Sequence, residues 1–279
     1  MRFTIIHSAT LDDTTIQRIL KVIPGDLSFK NQFYLLSHEK SIPRDTLNAL
    51  RQQCELDINT LPEQFDPSQV HLLISDMDST LISIECIDEI ADFLGIKAEV
   101  ATITGAAMRG EIDFNTALQQ RVSLLKGLDA DVLGHVYDER LQLNPGAEVL
   151  MSSLRASSIK TALVSGGFTY FTDRLETRLQ LDYSRANQLE IIDNRLTGRV
   201  LGDIVNGSTK AAYLQQLAQQ NNIPLSGTIA VGDGANDLEM LRRAALGVAY
   251  HAKPTVQQQA DIVINYSGLD AILHLLSDK

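Results

Sequence analysis

The chain has no tryptophan, two cysteines, six histidines and fewer basic than acidic residues. Each shortage excludes a class of function. Cys54 and Cys86 stand far apart, in no metal-ligand or redox spacing, which predicts a reduced, cytosolic protein. The histidines are scattered rather than paired, so a zinc site is not expected, although His135 and His251 remain candidates for local contacts. Lys plus Arg number 24 against 35 Asp plus Glu, a net charge of −11, and no basic patch offsets it. That disfavours a nucleic-acid partner. It leaves an anionic small molecule open, provided the site brings its own cations as Arg, Lys or a metal. No apolar run approaches the ~18 residues of a membrane span, and Met1-Arg2-Phe3-Thr4 does not read as a signal peptide, so no membrane partner is expected.

What is present is ordinary in bulk and specific in pattern. A hydrophobic fraction of 44% and a charged fraction of 21% belong to a globular protein, and 279 residues suffice for about two domains. Residues 1–66 read as a small, separate α+β domain: strands at 3–7, 32–37 and 56–60, and helices at 14–22 and 45–54, with Pro43 near the first turn of the second helix. Leu61 to Pro67 reads as a linker. From Val70 the pattern becomes a long alternation of strands and helices, predicting a parallel sheet with right-handed crossovers. Residues 84–136 are helical throughout, a large insertion after the first strand of that sheet. Residues 189–192 and 196–200 flank Asp193-Asn194-Arg195, a hairpin signal. Short late strands lie at 246–249 and 261–264.

The strand Val70 to Ile74 runs into Asp76-Met77-Asp78-Ser79-Thr80. A second, Lys160 to Val164, runs into Ser165-Gly166-Gly167. A third, Thr228 to Val231, runs into Gly232-Asp233-Gly234-Ala235-Asn236-Asp237. Polar, glycine-containing clusters at the C-terminal ends of parallel strands converge where open α/β sheets bind ligands. Asp76 with Asp78 is by itself as consistent with a solvated loop, since like charges so close need a cation or a shared proton. Asp233 and Asp237 supply further hard oxygens, a set suited to Mg²⁺. Ser165 and the amides of Gly166 and Gly167 form a cradle for phosphate oxygens. Lys210 opens a helical stretch and can neutralise a carboxylate or a phosphate. Together these mean phosphoryl transfer, in which a carboxylate can be the nucleophile and a second acid can move protons.

These four clusters, in this order, resemble the motifs of the haloacid dehalogenase-like phosphotransferases. From Val70 onward the likeness is greatest to the phosphoserine phosphatase family, including Glu85-Cys86-Ile87-Asp88-Glu89, Met108-Arg109-Gly110, Phe114 and Arg121 to Gly127. The resemblance implies a Rossmann-like doubly wound sheet with a helical cap, and Mg²⁺-dependent hydrolysis of O-phospho-L-serine, the last step of L-serine biosynthesis. It implies Asp76 as nucleophile and Asp78 as general acid/base. It implies a metal held by Asp76, the Asp78 main-chain carbonyl and Asp233, with Asp237 in support. Ser165, Gly166, Lys210 and Asn236 would then hold the phosphoryl group and nearby substrate atoms.

Two cap residues select the substrate under this resemblance. Phe114, Leu118, Arg121 and Leu125 fall on one helical stripe, so Arg121 is a charge among apolar residues. Spacing alone leaves an internal ion pair, a snorkelling side chain or a clamp on a substrate carboxylate open; the resemblance implies the clamp. Glu85, beside Asp88, Glu89 and Asp92, reads by periodicity as a solvated acid near a helix start, whereas the resemblance sets it against the substrate ammonium. Met108 and Phe114 read equally as apolar cap contacts or core. A phosphotransferase on the same scaffold, a phosphatase of another small phosphomonoester and a non-enzymatic amino-acid sensor are the competing functions; a dehalogenase would not need Asp78. The N-terminal domain faintly resembles an amino-acid-binding ACT domain with one strand missing, and homodimerisation or simple packing are its alternative roles.

Overall fold

The computed structural model describes residues 1–277, with Met108 described in its main chain only, so the reading of Met108 as a cap contact lies outside the described residues. The first 60 residues form strands β1 (Arg2–Ile6), β2 (Asp26–Phe29), β3 (Tyr34–His38) and β4 (Ile58–Thr60) in an antiparallel sheet of order β2-β3-β1-β4. Helices Asp13–Val22 and Arg44–Cys54 complete a βαββαβ unit, as in ferredoxin-like folds. Asp12 caps the first helix by accepting from the Thr15 N–H at 2.6 Å. Ile6, Ile19, Ile23, Leu36, Leu47, Leu50 and Ile58 pack between helices and sheet. The strand missing from the sequence reading is β2. It is a four-residue edge strand with no buried residue, too short for its Asp26-Leu27-Ser28-Phe29 alternation to stand out.

The larger sheet contains β5 (Leu72–Ser75), β6 (Lys160–Phe168), β7 (Tyr183–Ile192), β8 (Arg195–Leu201), β9 (Thr228–Gly232), β10 (Leu246–Tyr250) and β11 (Ile262–Ile264). Its order is β11-β10-β9-β5-β6-β7-β8, parallel except for the β7–β8 hairpin. The hairpin turns at Asp193 and Asn194, with φ of 49° and 58°, the left-handed pair that a two-residue turn requires. Central β5 is apolar on both faces: Leu73 joins one core, Leu72 and Ile74 the other. In register, Ser75 lies beside Leu163 of β6 and Val231 of β9. The three clusters therefore leave neighbouring strand ends together.

The cap rises between β5 and the helix Ala147–Ala156, built from helices Cys86–Phe93, Lys97–Met108, Phe114–Ser123 and Val132–His135. Its far end is fastened to the hairpin. Gly127 N–H donates to the Leu196 carbonyl at 2.7 Å, Leu196 N–H to the Leu128 carbonyl at 2.9 Å, and Arg195 to the Gly127 carbonyl at 2.7 Å. Gly198, at φ 81°, allows this approach, because a Cβ there would come within 3.1 Å of the Ser123 carbonyl.

The N-terminal sheet is separate from the larger one and packs against it. Leu61 and Phe65 of that segment are buried in the main core. Asp57 accepts from the N–H groups of Asn265, Tyr266 and Ser267 at 2.7, 3.0 and 2.8 Å. The Asn59 side chain bonds both the N–H and the carbonyl of Val263 at 2.9 Å, occupying the free edge of β11.

Candidate active site

Asp76 comes directly after β5, and its N–H donates to the Val231 carbonyl at 3.0 Å, so sheet pairing sets its position. The chain then turns sharply at Ser79, φ 56°, where the Ser79 N–H reaches the Ile84 carbonyl at 3.2 Å. That reversal brings the Cys86 N–H, in the first turn of the first cap helix, to 3.0 Å from Asp78 Oδ1. Ser165, 1% exposed, lies across from it, with its Oγ 3.5 Å from Asp78 Oδ2 and accepting from the Gly167 N–H at 2.8 Å. A Cβ on Gly167 would lie 2.7 Å from Asp78 Oδ2, so the close approach of cradle and acid requires glycine.

Lys210 is fully buried. It opens the helix Gly207–Gln220, which Asn206 caps by accepting from the Thr209 N–H at 3.1 Å. Its Nζ lies 2.7 Å from Asp76 Oδ1 and 2.7 Å from Asp237 Oδ1. The other Asp237 oxygen accepts from the Gly234 N–H at 3.0 Å, while Asp233 Oδ1 accepts from Thr80 Oγ1 at 3.2 Å. Carboxylate oxygens of Asp76, Asp233 and Asp237 come within 4.8 Å of one another.

Burial dominates the electrostatics. It raises the Asp76 carboxyl well above the usual range, aided by Asp237 and Asp233 and opposed by Lys210. Asp233 is pushed up to about 6 by burial and then by Asp237. Asp78 is pushed up to about 7 by burial and then by Glu85. Burial works against the Lys210 ammonium, but Asp237 and Asp76 outweigh it and hold its pKa above the ordinary value. Three crowded carboxylates with one ammonium between them are under-compensated, and hard oxygen donors so arranged fit a small divalent cation.

A cavity of about 810 Å³ opens over this floor. Asp76, Asp78, Asp233, Asn236, Ser165 and Gly166 line it from the sheet; Glu85, Phe114 and Arg121 line it from the cap. The structure thus brings together the residues singled out from the sequence, with one difference of position. Lys210 and Asp237 do not line the cavity; they lie behind Asp76, out of contact with solvent. Arg121 makes no ion pair with any described residue; its Nε donates to the Ala117 carbonyl at 3.3 Å. Glu85 stands exposed at the mouth, its Oε1 accepting from Ser79 Oγ at 2.7 Å. His135 pairs with Glu139 on the surface and His251 lies 3.4 Å from the Ser267 carbonyl, both local contacts.

Sequence reasoning misses Asn187. Buried in β7, it donates to the Gly166 carbonyl at 2.8 Å and accepts from the Val205 N–H at 2.8 Å. It ties the phosphate cradle to the segment leading into the Lys210 helix. It lies two residues before the strand read at 189–192, in a polar stretch, so nothing in the local sequence marks it.

The sequence profile of the haloacid dehalogenase-like hydrolases matches residues 73–242. The chain belongs to this family of hydrolases. It is 50% identical over 226 residues to the phosphoserine phosphatase of Polaromonas sp., a match spanning 79% of this chain and 96% of that protein. It superimposes with a TM-score of 0.85 and 38% identity on an unliganded probable phosphoserine phosphatase from Vibrio cholerae, covering 99% of this chain and 86% of that one. A phosphoserine phosphatase solved as a phospho-aspartyl intermediate analogue aligns with a TM-score of 0.70 and 39% identity, over 75% of this chain and all of the other.

Proposed function

We infer that this chain is a Mg²⁺-dependent phosphoserine phosphatase that converts O-phospho-L-serine to L-serine and phosphate through an aspartyl-phosphate. The observation that carries the reading is the Asp76 carboxylate, held at the end of β5 by a fully buried Lys210, with Asp78 and the Ser165 cradle on the same cavity wall. Relatives named phosphoserine phosphatase, at 50% and 48% identity over most of this chain, support the substrate.

Asp76 attacks phosphorus, and the bond from phosphorus to the serine oxygen breaks. Asp78 protonates that leaving oxygen; its raised pKa of about 7 keeps a proton available near neutrality. L-Serine departs, leaving the phosphoryl group on Asp76. Asp78, now ionised, takes a proton from water as the water attacks phosphorus, and the bond to Asp76 breaks to release phosphate. Ser165 and the Gly166 amide hold the phosphoryl oxygens, and Asn236 bonds the substrate nearby. Lys210 acts from behind, fixing Asp76 and offsetting its charge. Asp76, Asp233 and the Asp78 main-chain carbonyl would hold the cation, with Asp237 supporting through Lys210 and Gly234. When bound, the cation supplies the positive charge that neutralises the transferring phosphoryl group. Glu85 and Arg121 take the ammonium and the carboxylate of the substrate.

In this reading residues 1–66 form a small docked domain and 70–279 the phosphatase, capped at 84–136, acting in the cytoplasm in the last step of L-serine biosynthesis. No described helix is long and apolar enough to cross a membrane. Phosphate release from phosphoserine and from other phosphomonoesters, with and without Mg²⁺, tests the assignment. Phosphoserine should be preferred, and release should need no alcohol acceptor. Turnover that requires an acceptor would instead make the chain a phosphotransferase.

A further inference from the structure

We propose that Asp88 is a second reader of the substrate ammonium, sharing it with Glu85 beside the carboxylate held by Arg121. The proposal rests on the phosphoserine phosphatase reading and adds a specificity residue to it. Asp88 lies one turn beyond Glu85 in the first cap helix, its N–H donating to the Glu85 carbonyl at 3.0 Å, and both side chains line the cavity.

The two acids differ in how far they are already engaged. One Glu85 oxygen accepts from Ser79 Oγ at 2.7 Å, and the residue stands open to solvent. Asp88 is half-buried, and its carboxylate has no hydrogen-bond donor and no ion pair among the described residues. Lys97, whose charge also acts on it, is paired with Glu89 at 3.2 Å instead. Across the same cavity Arg121 is in the matching condition: only its Nε is bonded, and its two terminal nitrogens are free. Burial disfavours the charge of each, raising the Asp88 carboxyl and lowering the Arg121 guanidinium, and each group's leading relief is the other. They do not close into an ion pair.

Two opposite, half-buried charges facing one cavity without a direct bond form a slot for a zwitterion. An α-amino acid carries its ammonium and its carboxylate on a single carbon. A carboxylate seated on Arg121 therefore brings the ammonium to the acids that line the same cavity, Asp88 and Glu85. Of these, Asp88 does more than Glu85 to offset the cost of burying the Arg121 charge. Glu85, steered by Ser79, then closes on the ammonium from the solvent side.

The test uses the full chain with Mg²⁺ and four phosphomonoesters: phosphoserine, phosphoethanolamine (no carboxylate), 3-phosphonooxypropanoate (no amine) and ethyl phosphate (neither). In Asp88→Asn, kcat/KM for phosphoserine should fall about tenfold relative to 3-phosphonooxypropanoate, and that for phosphoethanolamine about tenfold relative to ethyl phosphate, one charge-assisted bond's worth. Asp88→Glu, which keeps the charge, should recover most of both ratios. Unchanged ratios overturn the proposal. A loss shared by the two carboxylate-bearing substrates and absent from phosphoethanolamine also overturns it, making Asp88 a counter-ion of Arg121 alone. A wild-type enzyme indifferent between phosphoserine and 3-phosphonooxypropanoate would instead refute the reading of function beneath it.

Discussion

Replacing Lys210 with methionine tests the electrostatic core of the site. The ammonium is fully buried and bridges Asp76 and Asp237 at 2.7 Å each. Methionine fills most of the volume, so the loss is one of charge rather than packing. Removing one partner from a buried ion pair costs about 3–5 kcal/mol, and Asp233 adds a third carboxylate within 4.8 Å of the other two. For a chain of this size that corresponds to a fall in Tm of roughly 6–20 °C. The pH dependence gives the test its force. Without Lys210 the Asp76 carboxyl, already held high by burial, rises further while that of Asp233 stays raised, so the folded-state pKa values of these two lie above the unfolded ones. The folded state then binds more protons than the unfolded chain, and stability falls as pH increases through those values. Measured in chelator, the deficit relative to wild type should be large at pH 8 and shrink toward pH 5, where protonation removes the unpaired charges. Mg²⁺ should restore part of the stability at pH 8, since it supplies the missing positive charge to the folded state. A deficit of equal size at both pH values would show that methionine merely packs badly and would refute the argument.

The site sets three other expected outcomes. Asp76→Asn should abolish both turnover and phosphoenzyme; acid-stable label appearing on another residue of that variant would contradict the assignment of the nucleophile. Glu85→Gln and Arg121→Ala should lower kcat/KM for phosphoserine about 10- to 100-fold, the loss of charge-assisted bonds, and reduce hydrolysis of an amine-free aryl phosphate far less; equal losses would remove both from recognition. Because the leaving serine oxygen needs a proton and Asp78 is pushed up to about 7, phosphoenzyme formation from phosphoserine should slow as pH rises through 7 to 8. Formation from p-nitrophenyl phosphate, whose phenolate leaves unaided, should not slow; rapid-quench burst rates on both substrates check this.

Much of the site is readable in the sequence because its residues sit where strands end. An apolar run such as Val70 to Ile74 marks a buried strand, and the residues after it must emerge at the carboxyl edge, so Asp76, Ser165 and Asp233 can be brought together without coordinates. Arg121 is readable as a charge out of place on an apolar stripe. Features that depend on contacts far apart in sequence are not. The β2 strand is an edge of four residues, too short for its alternation to stand out. Asn187 and Asn59 act through side-chain bonds to main chains that no local spacing announces. From sequence Lys210 reads as a cation for a carboxylate and a phosphate, but its position behind Asp76 depends on Asp237, which shares it from a different loop. The N-terminal domain is legible as a unit of its own, but composition records the linker residues and not the burial of Leu61 and Phe65.

The hairpin clamp on the cap has a consequence for which molecules can be turned over. Arg121 rides on a helix that leads directly into the segment bonded to β8, and β8 joins, through β7, the strand β6 that carries Ser165. The phosphate cradle and the arginine are therefore two jaws of one rigid gauge, with a gap set by the sheet. The Lys97–Met108 helix is the loosely packed wall: Thr104 and Ala107 line the cavity, and Val100 alone among its described side chains is buried. A gauge of fixed gap measures length: one extra methylene between phosphate and carboxylate, as in phosphohomoserine, would miss one jaw, whereas a methyl branch that leaves the span unchanged, as in phosphothreonine, would need only side room.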